Sequence, residues 1–146
     1  MKITVEESND YSEVEITIKC QSVNKDLEKL ISTIQLYSHN IMGKSEGKTY
    51  CIKLENVLYF DTVDEKVFIY TKERVYETSL RLYEIEEMFE GTSVIRVNKS
   101  TILNLMKVDQ VSPMLNGKIK ATLHNGETII ISRQYVLKFK KKLGIY

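Results

Sequence analysis

The stretch Ile95-Arg96-Val97-Asn98-Lys99-Ser100-Thr101-Ile102-Leu103-Asn104-Leu105 is a strand pattern that breaks in its middle. Ile95, Val97, Ile102, Leu103 and Leu105 give it an apolar side, and alternation holds through Val97. It then fails at Asn98-Lys99-Ser100, where buried positions would otherwise fall. The polar residues of the break, with Arg96 and Thr101 beside them, include two cations and no acid. A strand opening into such a corner offers short hydrogen-bonding side chains and a long cation to one surface. Phosphate oxygens and base edges are met by that mixture. A second corner, Ile131-Ser132-Arg133-Gln134-Tyr135, repeats it.

Outward from these corners the chain reads as a scaffold. Lys107 to Met114 alternates through Val108 and Val111, and Asn116-Gly117 is a strong hairpin signal joining it to Lys118–Leu123. Asn125-Gly126 turns into Thr128–Ile131. Ser132 is placed to cap a terminal helix with Tyr135, Val136, Phe139 and Leu143 inward and Arg133, Lys138, Lys140, Lys141 and Lys142 outward. Before the first corner, Ser79 is expected to cap a helix over Leu80–Phe89 that faces Glu84, Glu86 and Glu87 to solvent and stops at Gly91. Further upstream, Thr49–Lys53, Val57–Val63, Lys66–Thr71 and Arg74–Thr78 make a β-meander with charged turns. Its aromatics Tyr50, Tyr59, Phe60, Phe68, Tyr70 and Tyr76 suit cross-strand packing better than base stacking.

Gly43-Lys44-Ser45-Glu46-Gly47 reads as a linker and turn, dividing the chain into 1–42 and 43–146. In the front part, Lys2–Glu6 and Glu13–Lys19 alternate around Ser8-Asn9-Asp10, the pattern of a hairpin. Asn24 can cap a helix that sets Val23, Leu27, Leu30, Ile31, Ile34 and Tyr37 on one face. This small β-β-α element buries little apolar area alone. Its helix is expected either to pack on the front hairpin or to form a dimer or partner surface.

The net charge of +1 conceals a division. Residues 1–90 carry 11 Lys/Arg against 18 Asp/Glu, whereas residues 91–146 carry 10 against 2. Setting aside the helix-end lysines still leaves Arg96, Lys99, Lys107, Lys118, Lys120 and Arg133 on the basic side. A polyanion partner fits that asymmetry better than a solvated basic tail.

The ordered pieces Asn56-Val-Leu-Tyr-Phe60, Val67-Phe-Ile-Tyr-Thr71, Leu80-Arg-Leu-Tyr-Glu-Ile-Glu86, the Ile95–Leu105 stretch, Leu115-Asn-Gly-Lys118, Asn125-Gly-Glu127 and Ser132-Arg-Gln-Tyr-Val136 resemble the LytTR family. This is the all-β DNA-binding domain of many bacterial response regulators. The resemblance implies a mainly β (α+β) fold with short helices, preceded here by the β-β-α element. It implies a transcription regulator whose loops enter successive major grooves of double-stranded DNA, with two copies, a homodimer, on tandem half-sites. By position, it makes Lys99 and Arg133 base-contact candidates, with Lys66 (or Glu65) as a third, and Arg96, Asn98, Ser100, Ser132 and Gln134 phosphate contacts. The family often has His or Asn at the first two corners, so Lys here leaves the target sequence open.

Simpler readings stand beside these roles. Lys99 could be a surface-turn lysine, Arg133 could pair with a nearby acid, and Arg96 is as well suited to a sheet-edge ion pair as to a phosphate. A front part of about forty residues is too short for a receiver domain, so a stand-alone member without phosphorelay control is expected. Some stand-alone relatives are held by a membrane protein encoded beside them, which makes such a protein a further expected partner.

Catalysis finds no support in the chain. His39 and His124 stand apart from other ligands, and neither a phosphate loop nor zinc spacing occurs, so no cofactor, metal or small-molecule substrate is expected. Cys20 and Cys51 read as reduced, mostly buried thiols. With 42% hydrophobic and 28% charged residues, no apolar run of about 20 and no signal-peptide core, a cytoplasmic globular protein is expected. The alternatives to DNA binding are a protein-interaction module docking an acidic partner with its basic half, and RNA binding. The latter would want aromatics facing out between the cations.

Overall fold

The computed structural model describes residues 1–12 and 14–145, and of 35–38 the backbone alone. Its elements run α1 (Lys25–Ser38), β1 (Asn40–Ser45), β2 (Lys48–Lys53), β3 (Val57–Val63), β4 (Lys66–Thr71), β5 (Val75–Thr78), α2 (Leu82–Met88), β6 (Val94–Arg96), β7 (Thr101–Asn104), β8 (Val108–Pro113), β9 (Ile119–Leu123), β10 (Thr128–Ile131) and α3 (Arg133–Leu143). Strands β1 to β7 form one antiparallel sheet in the order β2-β1-β5-β4-β3-β7-β6, and β10-β9-β8 form a second. The three helices are separated by strands, so no helix-turn-helix occurs among the described residues.

Alternation builds two cores from one large sheet. Ile41, Ile52, Phe60, Val67, Ile69 and Ile102 pack on one face beneath Leu82 and Ile85 of α2 and Phe89 just after it. On the other face Leu58, Ile95, Val97 and Leu103 meet Ile119, Ala121, Leu123 and Ile131 of the small sheet and Phe139 of α3. Strand β7 is buried at all four positions because it serves both cores. Full burial of each such aliphatic or aromatic side chain is worth about 1.5–3 kcal/mol, so the strands nearest the Asn98 corner are the best anchored.

Asn104, at the end of β7, is fully buried, and its amide is used at both ends. Its Nδ2 donates to the carbonyls of Val57 at 2.8 Å and Leu54 at 3.3 Å, while its Oδ1 accepts from the Ser93 hydroxyl and the Met106 amide. One side chain thereby ties the entry of β3, the entry of β6 and the exit of β7.

Several expectations change. Of the segment read as a linker and turn, Glu46-Gly47 do form the β1–β2 turn, but Gly43 to Ser45 belong to β1, and the division at 42/43 falls inside that strand. Gly43 is the reason for both: a Cβ there would lie 2.7 Å from Tyr76 Cβ and 2.9 Å from Ile52 Cδ1. In this strand glycine marks close packing and not a break. Ser79 does not cap α2; the N-cap is Arg81, whose amide donates to Glu84 Oε1 at 3.1 Å. Asn24 does cap α1, its Oδ1 accepting from the Leu27 amide at 2.8 Å.

Among the described residues of 1–22 no strand forms; the turn at Ser8–Tyr11 is present but its flanks are unpaired. The expected hairpin also included Glu13, and the helix face Tyr37, whose placements lie outside the described residues. Both cysteines are free and exposed, not buried, because Cys20 belongs to that uncovered segment and Cys51 to the outer side of β2. No helix among the described residues is long and apolar enough to cross a membrane.

Gly43→Ala is expected to lower unfolding free energy by about 1–3 kcal/mol through overpacking, measured by urea denaturation; an unchanged midpoint would mean that β1 yields easily.

Candidate nucleic-acid interface

The two polar corners meet. The Ser132 amide, at the start of α3, donates to the Val97 carbonyl at 2.9 Å, and Asn98 Nδ2 donates to the Ile130 carbonyl at 3.0 Å. Residues over thirty positions apart are thereby fixed side by side. Asn98 also orders its own loop, its Oδ1 accepting from the Ser100 amide at 2.9 Å and the Ser100 hydroxyl at 3.1 Å. Across the base of the loop the Val97 amide donates to the Thr101 carbonyl at 3.0 Å.

The β3–β4 turn joins the same rim. The Thr62 amide donates to the Ser100 carbonyl at 2.9 Å, and the Thr101 hydroxyl donates to Asp61 Oδ1 at 3.1 Å. Asp64 and Glu65 form the turn with φ of 51° and 65°, the left-handed pair that a two-residue hairpin requires. A further turn lies close by: the Arg133 Cγ and Cδ atoms come within 3.2 Å of where a Cβ on Gly117 would stand. The Arg133 stem therefore rests over Asn116-Gly117.

Lys99 and Arg133 are both exposed, and neither side chain has an ion pair or hydrogen bond among the described residues. Lys66 is exposed as well but lies 3.8 Å from Glu77 Oε1. A pair so open to water is worth about 0–1 kcal/mol and holds the lysine weakly. The turn beside it carries the Asp64 and Glu65 carboxylates, which makes this the least cationic of the three corners.

Arg96 is engaged differently from the phosphate contact expected of it. Its Nη1 lies 3.2 Å from Glu86 Oε2 on α2, its Nε donates to the Asn98 carbonyl at 2.8 Å, and its Nη2 donates to the Lys99 carbonyl. The ion pair that was one of the two readings of Arg96 forms, and the guanidinium braces the loop from inside. Ser132 stands at the N-cap of α3, yet its side chain makes no cap bond. Its hydroxyl and the exposed Gln134 thus lie beside the uncapped amides of a helix start, a place that favours an anion. Asn98 and Ser100 are partly buried and bonded to each other within the loop.

Tyr59 fastens the small sheet to the large one. It stacks on its cross-strand partner Tyr70 with ring centroids 4.4 Å apart, and its hydroxyl donates to Glu127 Oε2 at 2.7 Å. Burial, and then the hydrogen bond to Glu127, raise its pKa above the ordinary tyrosine value. His39 sits edge-on to Phe89, and His124 Nδ1 lies 3.5 Å from Asp109 on the surface. No metal-binding group of His, Cys, Asp or Glu occurs among the described residues.

Asp61, Thr62 and the Gly117 contact were not legible as parts of this rim. Asp61 and Thr62 join it through the β3–β7 pairing, which sets Asp61 opposite Thr101, and Gly117 through its proximity to the Arg133 stem; no local pattern announces either.

Residues 47–144 match the LytTr DNA-binding domain. The Sensory transduction protein LytT of Enterococcus faecalis is 30% identical over 108 residues; the match covers 74% of this chain but only 45% of that protein, so the chain spans less than half its length. An uncharacterised HTH-type transcriptional regulator of Staphylococcus aureus is 25% identical over 147 residues, covering 99% of both. Among solved structures, the LytTr DNA-binding domain of a putative methyl-accepting/DNA response regulator from Bacillus cereus superposes with a TM-score of 0.69 at 24% identity, over 73% of this chain and 97% of that one. That likeness bears on the fold.

Two outcomes test the site's construction. Arg96→Leu leaves two loop carbonyls without their donor and is expected to cost about 1–3 kcal/mol, with faster amide hydrogen exchange at Lys99 and Ser100; unchanged exchange there would remove Arg96 as the brace. For Tyr59, a pKa raised in the folded state means stability that is present below the unfolded value of about 10 and lost as pH rises beyond it. Tyr59→Phe should therefore flatten the alkaline limb of a stability–pH curve, and an identical limb in both proteins would contradict the assignment.

Proposed function

Starting from the chain's membership of the LytTR family of DNA-binding domains, we propose that the rim formed by the 97–101 loop, the Ser132 corner and the Asp64-Glu65 turn reads duplex DNA for transcription regulation. The observation that carries this reading is the direct joining of the two corners with the Lys99 and Arg133 side chains left unpaired. Ionic groups without an internal partner, on a rigid scaffold and on the basic half of the chain, are placed to act on a ligand outside it.

In this mechanism Lys99 and Arg133 enter the major groove and donate to base edges, guanine O6 and N7 being the commonest acceptors of such cations. Lys66 is the third base contact, released from its exposed partner Glu77. Ser132 and Gln134, at the open end of α3, take a phosphate together with the helix amides. Asn98 and Ser100 touch phosphate with the donor capacity that their own loop bonds leave. Arg96 acts through the loop it braces, without reaching the DNA. Two copies bind tandem half-sites on one face of the duplex, and the lysines away from the rim add a sequence-independent attraction.

Fluorescence anisotropy across a salt series, with a duplex selected in vitro from a random pool, separates these roles. Arg133→Ala is expected to cost about 1–3 kcal/mol and relax preference at one base position. Lys107→Ala and Lys140→Ala should weaken all duplexes alike and lower the salt slope by about 1. Equal and sequence-blind losses in all three variants would refute the division of roles, and selection of no duplex at all would refute the reading itself.

A further inference from the structure

The front of the chain leaves apolar surface uncovered. Ile3, Val5, Val14, Ile16 and Ile18 are 79, 80, 91, 59 and 39% exposed, at alternate positions on either side of a turn that does form. There the Tyr11 amide donates to the Ser8 carbonyl at 3.3 Å and the Asp10 amide to the Ser8 hydroxyl at 3.2 Å. Helix α1 follows with Val23 and Leu30 exposed and Leu27, Ile31 and Ile34 only half-buried. The single chain thus presents two strand patterns without a ladder and an amphipathic helix without a full cover.

We propose that this segment is the surface through which two copies of the chain associate. Their 14–18 stretches pair antiparallel about Ile16, and the two hairpins make one four-stranded sheet whose apolar face the two α1 helices cover.

Three observations select a second copy as the occupant. An isolated two-stranded hairpin is marginal in water and needs further strands beside it or a helix across its apolar face; doubling the segment supplies both. The 14–18 stretch is also its own complement when reversed. About Ile16, Val14 faces Ile18 and Glu15 faces Thr17. No like charges meet in that pairing, and the apolar residues stay on one side. The area suffices too. With ~100 Å² for a fully exposed aliphatic side chain, the seven exposed residues offer roughly 450 Å² of apolar surface. That matches the apolar share of an ~800 Å² face in a standard interface.

This deepens the two-copy reading above, and its test needs no DNA, so the two can fail separately. The mass of the full-length chain is measured by light scattering at micromolar concentration. Wild type is expected to be a dimer. Ile16→Glu, which sets two carboxylates against each other at the axis, is expected to be monomeric. Ile16 lies outside both cores, and an unchanged circular dichroism spectrum verifies the fold. A mixture of equal parts Ile16→Glu and Ile16→Lys should regain the dimer mass. A monomeric wild type, a dimeric Ile16→Glu chain, or a mixture that stays monomeric would each overturn the proposal.

Discussion

Two hydrogen bonds, Ser132 amide to Val97 carbonyl and Asn98 side chain to Ile130 carbonyl, decide what this fold can present. Each is worth only about 0.5–1.5 kcal/mol net, a small part of the stability. Their importance is geometric. They weld the loop between β6 and β7 to the start of α3, so that Lys99 and Arg133 hold a fixed relation although one comes from a loop of the large sheet and the other from a helix. The cores on either side make the weld rigid: Val97 and Ile131, which flank it, are fully buried. Asn104, anchoring the far end of β7, keeps the strand from sliding under the loop.

The charge distribution follows the same division. Acidic side chains crowd the front of the chain and the outer face of α2, while the basic half carries the welded corners. One contact crosses between them where it matters: Glu86 on α2 holds Arg96, which in turn holds the carbonyls of Asn98 and Lys99. A buried-side cation facing two carbonyls and one carboxylate stiffens the backbone under Lys99 while leaving the lysine itself free of partners. Distribution of labour between a bracing arginine and a reaching lysine could not be inferred from residue type, since both are cations of one short stretch.

Much of the fold was legible. The strands from β2 to β5 and from β8 to β10, the Asn116-Gly117 turn and the apolar stripe of α3 all follow from period and turn chemistry, because each is a local pattern. Three things were not. Gly43 reads as a breaker when considered alone, and only the proximity of Tyr76 and Ile52 shows why a strand needs it. The front hairpin has a correct turn signal, yet among the described residues its flanks form no ladder, because turn chemistry alone does not secure pairing. The site was half legible: Lys99, Arg133 and their polar neighbours stand out by composition. Asp61 and Thr62 enter it only through long-range register with Thr101 and Ser100.

The central claim is that one rim, built from loops of both sheets, carries the nucleic-acid contact. An amide chemical-shift map recorded while duplex DNA is added tests it most directly. The account predicts that the largest shifts cluster in residues 62–66, 96–101 and 130–135, with the β1–β2 edge of the large sheet silent. Shifts concentrated at that opposite end, or on the acidic face of α2, would contradict it.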